Sequence, residues 1–372
     1  MTAREGVVAD QLTLMLLSLL IRVLPALAVA SALLGERAQH EHENPLYNNT
    51  ERKHDVQKIK EHAEDLFMRL MNEQHGSSPA GSSDYLERKR RFLESVRRQK
   101  HLNARARSSG ANDTAFYGIN QFSDLSPQEF RAIFLRSFTS DNIPVFPVNV
   151  YNNAKPAPLP KRFDWRDMNA VTPVKDQQSC GSCWAFSVVE AIESAYAIQS
   201  HSLEELSVQQ VIDCSEKNLG CNGGSPTTAL RWLNQTKVKL VRNSEYNYKA
   251  MTGMCHYFAP TDFGVSVKGF EAYNFRGYEE EMMSKLVELG PLVVLVDAIS
   301  WQDYLGGIIQ HHCSSGESNH AVLITGFDKS GDVPYWIVRN SWSASWGING
   351  YAYVKIGGNV CGIADAVAAT YL

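Results

Sequence analysis

The stretch Gln177-Gln178-Ser179-Cys180-Gly181-Ser182-Cys183-Trp184-Ala185-Phe186-Ser187 puts a cysteine where a loop gives way to an apolar helical run. The unpaired N–H groups at a helix start favour an anion, so a thiol there is expected to ionise below its ordinary value of about 8.5 and act as a nucleophile. A base is then required. His320, in Asn319-His320-Ala321-Val322-Leu323, opens an apolar strand 137 residues downstream, and its imidazolium would hold the thiolate and later donate a proton to a departing amine. Asn340, 157 residues after Cys183, ends the next strand of a hairpin. Its amide oxygen can accept the ring N–H, and Trp342 would shield that bond from water. The Cys183 backbone N–H and the Gln177 side chain are the expected donors to a developing oxyanion. Each residue alone is ordinary: such a cysteine is commonly inert or disulfide-bonded, and Asn before Ser is commonly a turn. Their order and spacing together point to acyl transfer through a thioester.

The chain has seven cysteines, all from Leu159 onward. In an oxidising compartment three pairs leave one thiol over, which is either reactive or awaiting a partner. Two other uses compete. A redox dithiol at Cys180 and Cys183 would carry its tryptophan ahead of the first cysteine, whereas Trp184 follows the second. A zinc site from Cys180, Cys183, Cys214 and Cys221 is disfavoured by an oxidising compartment. His311-His312 beside Cys313 reads as surface histidines next to a disulfide, so neither metal nor cofactor is expected.

The elements that must hold these residues are legible in outline. Ala185, Val188, Val189, Ile192, Ala195 and Tyr196 share one face of a helix over 183–200, and Ser207-Val208-Gln209-Gln210 opens a second with a capping-box pattern. Strands are expected at 292–296, 321–327, 335–339 and 351–356. Helices before strands argue an α+β fold of two subdomains with a cleft between them. Ahead of Leu159, one helical face runs from Val56 to Leu70, Gly76 to Ser83 is a break, and a basic helix spans Tyr85 to Asn103. Ala115 to Asp124 alternates like a strand, and Ser126-Pro127-Gln128-Glu129 starts a helix. Ile143 to Pro160 holds five of the 14 prolines and reads as an exposed, easily cut linker.

Of the 372 residues, 44% are hydrophobic and 20% charged, which excludes a disordered or fibrous chain. Residues 1–158 carry 20 Lys and Arg against 18 Asp and Glu, and the remainder 16 against 22. No basic face suits nucleic acid, but the opposite signs suggest that the first part sits on the second. Leu12 to Leu34 is apolar and ends in small residues, as a cleavable secretory signal does, so no stable membrane span is expected after its removal. Sequons at Asn48, Asn112 and Asn234 suit the secretory route.

These motifs resemble papain-type cysteine peptidases of the cathepsin family. Arg162-Phe163-Asp164-Trp165-Arg166 resembles the start of the mature enzymes, Cys221-Asn222-Gly223-Gly224 their substrate-binding strand, and Asn340-Ser341-Trp342 their orienting asparagine. The segments 207–214 and 300–307 narrow the likeness within the family. The resemblance implies a papain-like α+β fold, a helical part beside a β-barrel-like part, behind an N-terminal helical inhibitory propeptide. The division it implies is a signal at 1–30, a propeptide at 31–158 with its inhibitor part near 85–140 and a linker at 143–158, and a mature domain at 159–372. It also implies Cys183 as nucleophile, His320 as acid and base, Asn340 as orienter and Gln177 as oxyanion donor, with pairings Cys180–Cys221, Cys214–Cys255 and Cys313–Cys361. Gly223 and Gly224 would pair with substrate backbone; Pro226, Leu295 and Ala366 would line the pocket for the second residue before the scissile bond; Trp342 would border the site.

Gly118-x-Asn120-x-Phe122-x-Asp124 fits the propeptide's short motif. In its helical motif Arg88, Phe92 and Asn103 match, while Asp84, Ser95 and Gln99 replace the usual residues, so looser helix packing is expected there. Gln178 and Ser343 stand at backbone-crowded places where the family has glycine. The expected protein is a lysosomal or secreted endopeptidase, a monomer held by its own propeptide and acting on proteins and peptides, with cystatin-type inhibitors as further partners. A non-catalytic binding protein of the same fold is the alternative from another class.

Overall fold

The computed structural model describes residues 63–71, 82–108, 114–139, 142–147, 158–258, 263–311, 313 and 316–372. The expected signal, Asn48, Asn112 and most of the proline-rich linker lie outside them. Residues 67–372 form one compact unit. Of the preceding residues only 63–66 are described, as the start of a helix that runs to 71.

Helix α1 (Ser83–Ser108) carries buried Phe92, whose ring packs at 5.3 Å on Phe67. Strand β1 (Phe116–Tyr117) follows and is much shorter than the alternating pattern suggested, because residues 121–124 turn toward α2 (Pro127–Phe134). That helix has the full reciprocal cap: Ser126 accepts from the Glu129 N–H, and Glu129 accepts from the Ser126 N–H at 2.9 Å.

Past residue 158 the two expected halves are present. Helix α3 (Cys183–Ser200) is the axis of the helical half, with α4 (Val208–Cys214) and α5 (Pro226–Thr236) beside it. Thirteen of its 18 residues are buried, so it sits inside the domain rather than offering one apolar face; Ala195 and Tyr196 are only half-buried. Ser207 accepts from the Gln210 N–H at 3.0 Å, but the Gln210 side chain turns instead to the Lys239 carbonyl and the Val241 N–H. Only half of the expected capping box is therefore made.

The strand half is a largely antiparallel sheet in the order β3 (Gly269–Tyr273), β10 (Val367–Tyr371), β4 (Leu292–Val296), β7 (His320–Asp328), β8 (Tyr335–Arg339), β9 (Tyr351–Lys355), β6 (Ile308–Ile309). Strand β2 (Arg162–Asp164) pairs with β7. Strand β5 (Tyr304–Gly306) pairs with β1, and α6 (Glu279–Leu289) packs near β7 and β10. Disulfides Cys180–Cys221 and Cys214–Cys255 staple the helical half and Cys313–Cys361 the strand half, leaving Cys183 free. These pairings are the ones the resemblance implied, and they exclude both redox cycling of Cys180 with Cys183 and a zinc site on these cysteines.

Candidate active site

Cys183 is the first residue of α3 and fully buried. The loop before it is pinned by the Cys180–Cys221 bridge, by the Gly181 N–H to the Cys221 carbonyl at 2.9 Å, and by the Trp184 indole to the Gly220 carbonyl at 3.1 Å. Its thiol lies against the backbone of Ala321, the residue after His320.

His320 begins β7 and pairs in register with Val296, while β8 runs antiparallel to β7 and delivers Asn340 just past its end. His320 Nε2 and Asn340 Oδ1 are 2.8 Å apart. Asn340 Oδ1 also accepts the Ser341 N–H at 2.8 Å, which fixes the amide orientation, so the ring must donate through Nε2 and leave Nδ1 for proton exchange. The Trp342 ring stacks on the imidazole at 4.6 Å. Gln177 is held from both sides, accepting from Ser341 Oγ at 2.7 Å and donating from its backbone N–H to the Ser341 carbonyl at 2.8 Å. Its Nε2 donates to the Cys180 carbonyl at 2.9 Å and to the Phe134 carbonyl at 3.2 Å.

Residues 134–139 and Ile143 of the N-terminal part thus lie along the cleft. Ser137 pairs in parallel with Gly224: the Gly224 N–H donates to the Arg136 carbonyl at 3.1 Å, and the Phe138 N–H to the Gly224 carbonyl at 3.1 Å. Gly223 has φ +118, and a Cβ there would stand 2.4 Å from the Arg136 carbonyl oxygen, so glycine is required for this approach. Pro226, Leu295 and Ala366 line one pocket of about 10 Å³ with Val293 and Ala368, and Thr139 and Ile143 close its wall from the N-terminal part. Trp342 is fully buried, with Phe122, Phe130 and Phe134 edge-on to its ring. The face of Trp342 expected to border substrate is covered here by these propeptide rings.

Covering also reverses the expected ionisation. Burial pushes the Cys183 thiol up, outweighing backbone contacts from Ala321 and Arg136 that favour the anion. Burial likewise pushes His320 down to about 4, opposed by Asn340 and by the nearby Phe134 carbonyl, which makes no well-formed bond to Nδ1. With the cleft filled, burial thus works against the ion pair that the helix start would favour.

Beneath the site lies a buried charge cluster that the apolar periodicity of α3 concealed. Glu190 and Glu193 are on α3, seven and ten residues after Cys183, and Arg339 immediately precedes Asn340. Arg339 Nη2 is 3.0 Å from Glu190 and 2.6 Å from the Pro173 carbonyl, and Nη1 donates to Thr172. Glu193 accepts from Thr172 at 2.6 Å, from Lys175 and from the Leu206 N–H. Gln178 and Ser343 both adopt left-handed backbone, φ 49 and φ 69, as their glycine-like positions suggested. Asn234, the one described sequon asparagine, is partly exposed on α5.

Fold and site together define a cysteine peptidase made with its own inhibitor. Residues 159–371 match the papain family cysteine protease model and residues 65–130 the cathepsin propeptide inhibitor domain, so the chain belongs to the papain family. Within that family it is 61% identical to cathepsin O of Homo sapiens over 281 residues, 76% of this chain and 87% of that protein. The Mus musculus cathepsin O is 58% identical over 298 residues, 80% of this chain and 94% of that one. The digestive procathepsin L2 of Tenebrio molitor superposes with a TM-score of 0.74 at 28% identity, covering 83% of this chain and all of that one. The recombinant stem bromelain precursor does so at 0.70 and 31% identity, covering 83% and 99%.

Proposed function

We propose that Cys183 is the nucleophile of this peptidase and His320 its acid and base. The observation that carries the reading is a peptide segment already lying in the cleft, its Phe134 carbonyl on Gln177 Nε2 beside the single free thiol. Once residues 134–139 and Ile143 leave, solvent and the helix start stabilise the thiolate, and the proton moves from Sγ to Nδ1. The thiolate attacks the scissile carbonyl carbon, and the oxyanion takes hydrogen bonds from the Cys183 N–H and Gln177 Nε2. The imidazolium protonates the departing amine, leaving a thioester. His320 then deprotonates water, which attacks the thioester and frees the acid and Cys183. Asn340 holds the ring in the required orientation throughout. Loss of peptide hydrolysis in acid-treated Cys183→Ser is expected; surviving hydrolysis overturns the assignment.

The pocket of Pro226, Leu295 and Ala366, with Ile143 packed against it, supports a preference for an apolar residue two positions before the scissile bond. A peptide-library profile led by charged side chains at that position contradicts it. We further infer removal of the first part near Leu159 in an acidic compartment, the lysosome or after secretion, glycosylation at the sequons, a monomer, and cystatin-type proteins as inhibitors. A stable full-length active form at low pH argues against this maturation.

A further inference from the structure

Two of the three propeptide positions that depart from the family's helical motif, Ser95 and Gln99, pack tightly rather than loosely. Both are buried, and both face one carboxylate of the peptidase. Ser95 Oγ donates to Asp303 Oδ1 at 2.8 Å, Gln99 Nε2 to the same oxygen at 2.9 Å, and Arg98 Nε to Oδ2 at 2.5 Å. Ser95 Oγ is also the hub of the triad, accepting from Arg98 Nη2 and Gln99 Nε2 at 3.0 Å each. Asp303 is 1% exposed, and α1 alone supplies these three donors. The same place offers backbone: the Gly118 N–H donates to the Asp303 carbonyl at 2.9 Å, and β1 pairs with the adjoining β5. Arg131 also lies 4.0 Å from Glu317 across the two parts, but that pair is long and exposed, so it contributes less than the buried pair at Asp303.

We propose that Asp303 and the edge of β5 form the recognition surface by which this peptidase selects its propeptide, read by the Ser95, Arg98 and Gln99 triad. The surface fits one partner chemistry, a helix presenting a hydroxyl, a guanidinium and a carboxamide within two turns, followed by a short strand that completes the β5 edge. Latency is then set at a site away from the cleft. Releasing the propeptide strips three donors from a carboxylate held in a dry interface, and each such bond is stronger than one between neutral groups.

The test uses full-length protein. Zymogens carrying Ser95→Ala with Gln99→Ala, or Asp303→Asn, are compared with the parent for conversion rate at one fixed acidic pH and for leak of peptide hydrolysis at neutral pH. Expected are conversion faster by roughly tenfold or more and a raised leak. The Ser95/Gln99 product must show the parent kcat/KM, since both residues depart with the propeptide. If that double variant does not fold, Asp303→Asn reads the same contact from the other side. Glu94→Ala removes a pair with Arg90 on exposed α1 surface and is expected to convert at the parent rate. Parent-like conversion in the lock variants, or equal acceleration in Glu94→Ala, overturns the proposal.

Discussion

Gln177 shows how one side chain serves two states. Its Nε2 now donates to the Phe134 carbonyl, and on the proposed mechanism it turns to a substrate's oxyanion once the cleft opens. In the mature enzyme Gln177→Ala is expected to lower kcat by about 10²–10³ while KM changes little, because the bond matters most in the transition state. A kcat within threefold of the parent removes Gln177 from the mechanism. Gln178 beside it, and Ser343, have Cβ atoms in left-handed backbone that glycine occupies without strain. Gln178→Gly and Ser343→Gly are each expected to raise the thermal midpoint slightly, by at most about 1 kcal/mol, since glycine's greater freedom in the unfolded chain offsets part of the relief. A fall in midpoint shows instead that the side chains make compensating contacts.

At the scale of elements, α3 and β8 must keep a fixed relation, because one begins with Cys183 and the other ends beside Asn340. The Glu190–Arg339 contact spans them. Burial pushes Glu190 up to about 7, more than Arg339 and Lys175 pull it down. With an ordinary value of 4.5, the folded state binds more protons than the unfolded between pH 4.5 and 7, so this group's contribution falls as pH rises through that window, by at most about 3 kcal/mol. Glu190→Gln is expected to flatten the decline of thermal midpoint between pH 5 and 7 in thiol-blocked mature enzyme. An unchanged decline assigns the pH dependence to other groups. This cluster was not legible in the sequence, where only one apolar face of 183–200 was read; burial all round α3 is a tertiary fact that periodicity cannot report. The strands of His320 and Asn340, by contrast, were legible because nearly continuous apolar runs mark a buried sheet. The place of Cys183 at the start of α3 and the approach of Asn340 to His320 were readable from type and order alone. The Ile143 plug and the Phe134 carbonyl were not, since they act through shape and backbone rather than side-chain chemistry.

For the whole molecule, the decisive equilibrium is between covered and open cleft, and proton balance sets its pH dependence. Covered, His320 has a value near 4; uncovered and alone, it returns toward 6.5. Between those values the open state binds more protons, so falling pH favours opening, by up to roughly 300-fold. Cys183 alters this balance. On the proposed mechanism the parent imidazole takes its proton from the thiol, so opening transfers a proton within the pair and draws little from solvent. Removing the thiol should therefore expose the histidine's own linkage. In full-length Cys183→Ala, hydrogen exchange at Ser137 and Phe138, whose amides donate to Asn319 and Gly224, reports opening without cleavage. Corrected for intrinsic rates, it is expected to rise steeply from pH 6.5 to 4 in Cys183→Ala and to be flatter in Cys183→Ala with His320→Gln. Parallel profiles in the two variants place the acid trigger outside the catalytic pair, among the interface carboxylates.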